Sequence, residues 1–255
     1  VAILIDGARR VGKSWVAEQF GKNEYESYLL IDFRLAGSEV REMFETQLDR
    51  LDDFFFNLSA YYNVKLVRGK SLLIFDEIQC GMGRSGKLFA FEYAGIVPDV
   101  LLISKAIGGS QPMAVVVYNK DLDKWTPGAH AGTFRGNQLA MKAGTVVMNR
   151  VSKPEFLADV VRKGNYIEER LTALKAKVSI IGDIRGKGLM RGTEFVDPKA
   201  KPDFMGSLPA SGEIAAEVQH KCFEKKLVVE KGGRNGAVMR CLCALNISDE
   251  DLQKA

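Results

Sequence analysis

The sequence predicts an α/β fold in which a mostly parallel sheet with flanking helices is followed by a small α+β domain at the C-terminal end. In the first part of the chain, short apolar runs alternate with stretches of helical periodicity, which is typical of parallel sheets with crossover helices. Beyond residue 178, short strands instead surround one amphipathic helix, which favours an antiparallel sheet. Apolar residues make up 46% of the 255 residues, enough for a sizeable core.

The strands of the first part are short apolar runs that end at polar residues or glycine. They are predicted at Val1–Ile5, Tyr28–Asp32, Ser71–Phe75, Val100–Ile103 and Met113–Tyr118. We expect the first four to lie parallel in one sheet, because helical segments alternate with them. Helices are predicted at Ser14–Phe20, across Glu39–Tyr62 as one long helix or two, at Gln138–Val151, and from Pro154 to about Lys175.

The C-terminal part contains four short β-rich runs and one helix. The strands are predicted at Val178–Ile184, Leu189–Val196, Leu227–Glu230 and Val238–Leu242. The helix places Ile214, Val218 and Cys222 on one face. This pattern predicts the small α+β domain.

Composition and charge argue against several kinds of function. The net charge is +4 and the charges are interspersed, so no nucleic-acid surface is predicted. No apolar run approaches the roughly 20 residues of a membrane helix, and the first apolar run is too short for a signal peptide. The four cysteines lack CxxC spacing and only two histidines accompany them, which argues against a zinc site and fits reduced thiols in the cytoplasm.

A phosphate-binding loop is predicted near the N-terminus. Residues 7–14 read GARRVGKS and match G-x-x-x-x-G-K-[ST], between a predicted strand and a predicted helix. Gly7 and Gly12 would let backbone amides turn toward a phosphate. Lys13 would neutralise the outer oxygens, and the Ser14 hydroxyl would hold Mg²⁺. The alternative is a glycine-rich turn with a basic patch.

Residues 1–79 resemble the start of an ATP-binding protein of the AAA type, on ILIDGARRVGKS, the IDF that includes Asp32, and the later SLLIFDEIQ. The resemblance implies ATP and Mg²⁺ as ligands, with Asp76 ordering the metal and Glu77 polarising the attacking water. The sensor segment and the arginine that complete such a site have no counterpart in the sequence. This interpretation therefore predicts nucleotide binding rather than hydrolysis.

A second, longer resemblance begins at Leu72. The chain reads LLIFDEIQCGMGRSGKLFAFEYAGIVPDVLLISKAIGGSQPMAVVV, then GAHAGTFRGNQLAM, and later DIRGKGLMRGTEFVDP. This run is similar to the pyridoxal-phosphate (PLP) dependent class III aminotransferases, and GTFRGNQ resembles the diaminobutyrate aminotransferases. Because several motifs occur in order, the resemblance is far more specific than a single glycine pattern. It implies transfer of an amino group from an amine such as diaminobutyrate to a 2-oxo acid.

The resemblance assigns roles around the cofactor. Lys105, after the strand Val100–Ile103, would form the Schiff base with PLP and move the proton between substrate and cofactor. Asp76 would keep the pyridine nitrogen protonated, and Gln79 would hydrogen-bond the ring hydroxyl. Taken singly, a lysine at a strand end is usually solvated and an acidic residue there is usually a cap. The ordered motifs favour the functional roles.

Two further residues are assigned by the same resemblance. Thr133 matches the position that donates a hydroxyl to the cofactor phosphate of the neighbouring subunit, which implies a homodimer. Arg240 matches the arginine that grips the substrate carboxylate with two hydrogen bonds. The family usually continues with a proline pair where this chain has Cys243 and Ala244.

The two resemblances meet inside SLLIFDEIQ, because each family has a buried strand there that ends in an acidic residue. The chain is therefore divided into a P-loop segment (residues 1–71), the second half of a PLP-binding large domain (72–153) and a small C-terminal domain (154–255). Before this strand the class III enzymes carry a Ser-Gly-Ala or Ser-Gly-Thr loop for the PLP phosphate and an aromatic residue that stacks on the PLP ring. Residues 1–71 contain neither and offer the different phosphate loop at residues 7–14 instead. A natural fusion, an engineered chimera and an assembly error all fit the sequence. Three interpretations of the chain stay open: an impaired aminotransferase, an ATP-binding protein, and a folded fragment with no activity.

Overall fold

The computed structural model describes residues 26–27, 29, 38–47, 50–67, 74–95, 97–124, 126–128, 135–204 and 206–255. Several sequence predictions lie outside these ranges and stay predictions: the strand Val1–Ile5, nearly all of Tyr28–Asp32, the helix Ser14–Phe20, the loop residues Gly7, Gly12, Lys13 and Ser14, and the phosphate-site residue Thr133.

The chain divides into two compact units. The first contains Val1–Gln79 and Ala90–Met148, and the second contains Cys80–Phe89 and Asn149–Ala255. The short segment after Gln79 therefore leaves the first unit and returns to it ten residues later. The three-part division inferred from the sequence stays a prediction.

Two helices precede the sheet of the first unit, α1 (Ser38–Thr46) and α2 (Leu51–Tyr62). The sequence allowed one long helix or two, and the structure has two. Their shared core is formed by buried residues of both helices, Val40, Phe54 and Leu58. α2 ends at Asn63, whose left-handed backbone (φ 51°) is a common helix C-terminal conformation for asparagine.

A three-stranded sheet follows, with strands β1 (Ile74–Asp76), β2 (Val100–Ser104) and β3 (Ala114–Tyr118) in the order β1-β2-β3. β1 runs parallel to β2, which confirms the prediction for this pair of strands. β3 is antiparallel to β2. The connection at residues 105–113 explains this, because it is shorter than the dozen or so residues that a parallel crossover needs.

Helix α3 (Gln138–Val151) follows the sheet and has the predicted bounds. Asn137 begins it, since its side-chain oxygen accepts the backbone N–H groups of Leu139 and Ala140 at 3.0 and 3.2 Å. This is the hydrogen-bonding pattern of a helix N-cap. Short 3₁₀ turns lie at Ala90–Ala94, Lys105–Gly108 and Lys120–Leu122.

The second unit is an antiparallel sheet with helices. Its elements are α4 (Pro154–Lys175), β4 (Ile181–Lys187), β5 (Met190–Phe195), α5 (Gly212–Glu224), β6 (Glu230–Gly232), β7 (Val238–Cys241) and α6 (Asp249–Lys254). The strand order is β4-β5-β7-β6, and every neighbouring pair is antiparallel. Ile181, Phe195 and Ala215 form the buried core between the sheet and α5. None of the described helices is long and apolar enough to cross a bilayer.

Two strands of this unit begin three residues later than predicted. The run Val178–Ile184 was expected to be a strand, but β4 is Ile181–Lys187, because the chain turns before Ile181. The apolar run Leu227–Glu230 was expected to be a strand, but β6 is Glu230–Gly232. Val228 is 80% exposed, and the carbonyl of Val229 accepts a hydrogen bond from the Gln219 side chain at 2.8 Å. A side chain of α5 thus binds a backbone group that a longer strand would need for its ladder.

Helix α4 packs closely on the β4–β5 turn at two glycines. A Cβ at Gly164 would overlap the carbonyl oxygen of Gly188, and Gly188 itself has a positive φ of 52°. A Cβ at Gly188 would lie 2.7 Å from the carbonyl oxygen of Arg84. Because these neighbours are backbone atoms, they cannot rotate away from an added side chain.

We expect Gly164→Ala to lower the free energy of unfolding by about 1–3 kcal/mol, because overpacking costs that much in a close-packed core. The loss should appear although alanine is the better helix former. Urea unfolding of both variants is the measurement, with the exposed neighbour Asn165→Ala as the matched control. Equal stability of the two variants would contradict the packing argument.

Candidate active site

The ends of β1 and β2 bring the predicted acid and lysine to one edge of the sheet. Asp76, the last residue of β1, pairs with Leu102 of β2, and the next backbone N–H, that of Glu77, donates to the Leu102 carbonyl at 2.9 Å. Lys105 follows three residues after Leu102, directly beyond the end of β2. Ligands bind beyond the carboxyl ends of parallel strands, so this is the expected place for a site.

Lys105 itself is exposed, in agreement with a side chain that is free to react. Its backbone φ is 52°, in the left-handed region that non-glycine residues seldom occupy. The short 3₁₀ turn Lys105–Gly108 begins at this residue. A strained backbone at the candidate catalytic residue is a feature found at functional sites.

Glu77 is buried immediately beside this edge. Its side chain is only 1% exposed, and one carboxylate oxygen accepts the backbone N–H of Phe91 at 2.8 Å. The bond ties the end of β1 to the start of the 3₁₀ turn Ala90–Ala94, within the first unit. Its position supports a structural role for Glu77 instead of the water-polarising role that the ATPase interpretation gave it.

Gln79 is half-buried and is the last residue of the first of the two chain segments that form that unit. The glycine-rich segment Cys80–Phe89 that follows belongs to the second unit. There the Arg84 guanidinium donates to the carbonyl oxygens of Leu189 at 3.3 Å and Cys243 at 2.5 Å. Burial lowers the pKa of Arg84 below its ordinary value. Arg84 thus anchors the segment Cys80–Phe89 to two loops that lie far away in the sequence.

Arg240, the predicted carboxylate-binding residue, lies on β7 in the second unit. Its guanidinium is ion-paired with Glu230 of β6 (Nη2 to Oε1 2.7 Å), and the two residues are direct cross-strand partners. The Arg240 side chain is 26% exposed and that of Glu230 is 51% exposed. Arg240 therefore already binds a carboxylate, one that belongs to the chain itself.

The structure brings Asp76, Gln79 and Lys105 into one unit and places Arg240 in the other. Three contacts were not predicted from the sequence: Glu77 as a buried anchor, Arg84 as a clamp, and Asn137 as the cap of α3. Only Asn137 carries a local signal, since asparagine before a helical run is typical of an N-cap. The partner of Glu77 lies 14 residues further along the chain, and the partners of Arg84 lie 105 and 159 residues further.

The chemistry of the first-unit residues fits PLP. An exposed amine can bind an aldehyde, an acidic residue ends the adjacent parallel strand, and a polar amide follows three residues later. The fit covers the side of the cofactor that carries the aldehyde, the ring nitrogen and the ring hydroxyl.

Two protein families match parts of the chain. Residues 66–255 match the family Aminotransferase class-III, and residues 1–85 match the family AAA domain. The two matches overlap over residues 66–85, the segment that contains β1.

Curated relatives are aminotransferases. The diaminobutyrate–2-oxoglutarate aminotransferase of Rhizobium meliloti is 47% identical over 182 residues, which are 71% of this chain and 39% of that protein. The enzyme of the same name from Haemophilus influenzae is 44% identical over 183 residues, 72% of this chain and 40% of that protein. The chain thus spans about two fifths of the length of these relatives.

Solved structures show the same fold. Ornithine aminotransferase from Toxoplasma gondii is 28% identical with a TM-score of 0.62, over 79% of this chain and 44% of that chain. N-acetylornithine aminotransferase from Stenotrophomonas maltophilia has a TM-score of 0.64 at 20% identity, over 95% of this chain and 66% of that chain. The family match over 66–255, together with the curated relatives, shows that this protein belongs to the class III aminotransferases.

Proposed function

We propose that this chain is a PLP-dependent aminotransferase with impaired activity, which moves an amino group from an amine such as diaminobutyrate to a 2-oxo acid. The observation that supports it best is the adjacency of Asp76 and Lys105 at the ends of two paired parallel strands. The names of the curated relatives support the choice of diaminobutyrate and 2-oxoglutarate.

The cofactor, when bound, supplies an aldehyde that condenses with an amine with loss of water, and a ring that accepts electrons from the substrate carbon. Lys105 would hold the cofactor through its side-chain amine Nζ, and the same amine would act as the base that moves the proton at the substrate carbon. Asp76 would keep a proton on the ring nitrogen, and Gln79 would donate a hydrogen bond to the ring hydroxyl.

Arg240 binds the substrate carboxylate in this proposal, so the substrate competes with Glu230. Glu230 is 51% exposed, so water can solvate its carboxylate once it leaves Arg240, which is 26% exposed. Ion pairs between exposed side chains contribute only about 0–1 kcal/mol. A dicarboxylic acid such as 2-oxoglutarate can therefore displace Glu230 at a modest cost. Guanidinium recognition of carboxylates by two parallel hydrogen bonds favours the exchange.

Thr133 is the basis for the oligomeric state that we propose for the protein. At the family position it donates a hydroxyl to the cofactor phosphate of a second copy, so we take the active form to be a homodimer. The cytoplasm, where thiols stay reduced, is the compartment that fits the four free cysteines.

Titration with PLP tests the proposal. Bound through Lys105, the cofactor should give a visible absorption band, and borohydride reduction should fix the pyridoxyl group on the peptide that contains Lys105. A protein that shows no band and no labelled peptide at saturating PLP would refute it.

A second candidate function is binding of Mg-ATP by residues 7–14, favoured by the match of residues 1–85 to the AAA domain family. We expect Mg-ATP to raise the melting temperature of the protein, because a ligand at 100 times its Kd stabilises by about 2.7 kcal/mol. Lys13→Ala should remove this shift and leave the PLP band unchanged. Lys65→Ala is the control, and the same shift in all three proteins would argue against a site at Lys13.

A further inference from the structure

The backbone of Lys105 adopts a conformation that costs free energy. With φ at 52° its Cβ approaches the following carbonyl, an arrangement that L-residues other than asparagine and aspartate avoid. Such a conformation persists only where the surrounding structure determines it. The contacts that hold residues 104–113, which we call the Lys105 bend, therefore bear on the placement of the lysine.

One contact joins the two ends of the Lys105 bend. The hydroxyl of Ser104, the last residue of β2, donates to the carbonyl oxygen of Met113 at 2.8 Å, just before β3 begins. Within the bend, Gly108 lies against Met113, since a Cβ at Gly108 would be 3.0 Å from the Met113 Cβ. The ends of the bend are thus tied both by a hydrogen bond and by close packing.

The second contact is with helix α3. Gly144 is buried beneath the bend, and a Cβ there would lie 2.7 Å from the carbonyl oxygen of Ile107 and 3.3 Å from the sulfur of Met113. The Ile107 residue is 6% exposed. Any side chain at Gly144 would push the Ile107 carbonyl outward, and with it the 3₁₀ turn that starts at Lys105.

We propose that Gly144 and Ser104 are positioning residues for Lys105. The inference rests on the proposed function, in which Lys105 carries the cofactor. Gly144 sets the distance of the turn from α3, and Ser104 ties the ends of the bend. Together they maintain the left-handed backbone from which the Lys105 side chain extends. A misplacement of about 1 Å at a reacting group can cost about 100-fold in rate, so this placement matters.

The first test needs no cofactor. Lys105→Gly and Lys105→Ala both remove the side chain, but only glycine accepts a positive φ without cost. Gly144→Ala is expected to lower Tm by about 2–6 °C in the Lys105→Ala protein, as overpacking does in a chain of this size. In the Lys105→Gly protein the loss should be at most half as large, because a glycine bend can yield. Equal losses in both proteins would overturn the inference.

The second test uses PLP and the otherwise unmodified chain. Gly144→Ala should require about tenfold more PLP for half of the visible band, since the amine is displaced. Ser104→Ala should act in the same direction, and Ser104→Thr should restore binding because it keeps the hydroxyl. Thr145→Ala, exposed on the same helix, is the matched control. Equal PLP binding by Gly144→Ala and Thr145→Ala would overturn the inference.

The two tests separate the two claims. If the unmodified chain shows no band but the Tm losses differ as expected, the proposed function fails and the coupling of Gly144 to the Lys105 bend stands. If the band forms normally and the Tm losses are equal, the proposed function stands and the positioning role fails.

Discussion

Lys105→Ala is expected to abolish covalent PLP binding completely. The variant lacks the amine that condenses with the cofactor aldehyde, so no visible band should form and borohydride should label no peptide. The fold should be unaffected, because the Lys105 side chain is exposed and alanine keeps the same backbone strain as lysine. Absorbance titration followed by borohydride reduction and peptide mapping is the measurement.

Two control variants make this result specific. Lys120→Ala removes another exposed lysine of the same unit and should leave the band intact. Lys105→Arg keeps the positive charge but stays protonated at neutral pH, so it should lose the band like Lys105→Ala. A full band in Lys105→Ala, with the label on a different lysine, would show that Lys105 is not the cofactor lysine.

Elements with a strong local pattern could be predicted from the sequence. Helices Gln138–Val151 and Pro154–Lys175 have the predicted bounds, because their apolar spacing, and for the second the proline at its first position, are local signals. The parallel pairing of β1 with β2 was predicted from the alternation of short apolar runs with helical segments along the chain. The role of Lys105 was predicted from the order of family motifs and stays a prediction, since periodicity alone leaves a lysine at a strand end without a role.

Features that depend on distant partners could not be predicted. The carbonyls that Arg84 binds lie 105 and 159 residues further along the chain, so no local pattern indicates the clamp. The pairing of Arg240 with Glu230 depends on the register of β6 against β7. That register could not be predicted, because the apolar run before Glu230 was taken for the strand although its Val228 is exposed. The left-handed backbone of Lys105 has no sequence signal of its own.

The two family matches overlap at residues 66–85, a segment that includes the first strand of the sheet. This segment contains β1, which pairs with β2 of the aminotransferase match through regular parallel contacts. A strand that suits both families keeps its backbone pairing on the aminotransferase side. The end of β1 at Asp76 is therefore paired with β2 even though the residues before it match a different family.

We expect these 255 residues on their own to catalyse transamination at least about 100-fold more slowly than an intact class III enzyme. The reason is that a displacement of the cofactor ring by about 1 Å costs about that factor in rate. Covalent attachment alone does not fix the ring. In the family, the ring is held from the side of Asp76, by a stacked aromatic residue and by a phosphate loop. Residues 1–71 match neither of the last two, and the pairing of Arg240 with Glu230 adds competition for the substrate carboxylate.

The assay combines purified protein, excess PLP, diaminobutyrate and 2-oxoglutarate, and measures glutamate. An intact diaminobutyrate aminotransferase provides the reference rate, and Lys105→Ala provides the background. We expect a rate between these two, with a visible PLP band that proves the cofactor is attached. The band separates the two possible causes of a low rate, because a chain that binds PLP covalently but turns over slowly lacks orientation of the ring, not the cofactor. A rate equal to that of the intact enzyme would show that Asp76, Gln79 and Lys105 orient the ring without the stacking residue and the phosphate loop, and the argument from ring placement would be wrong.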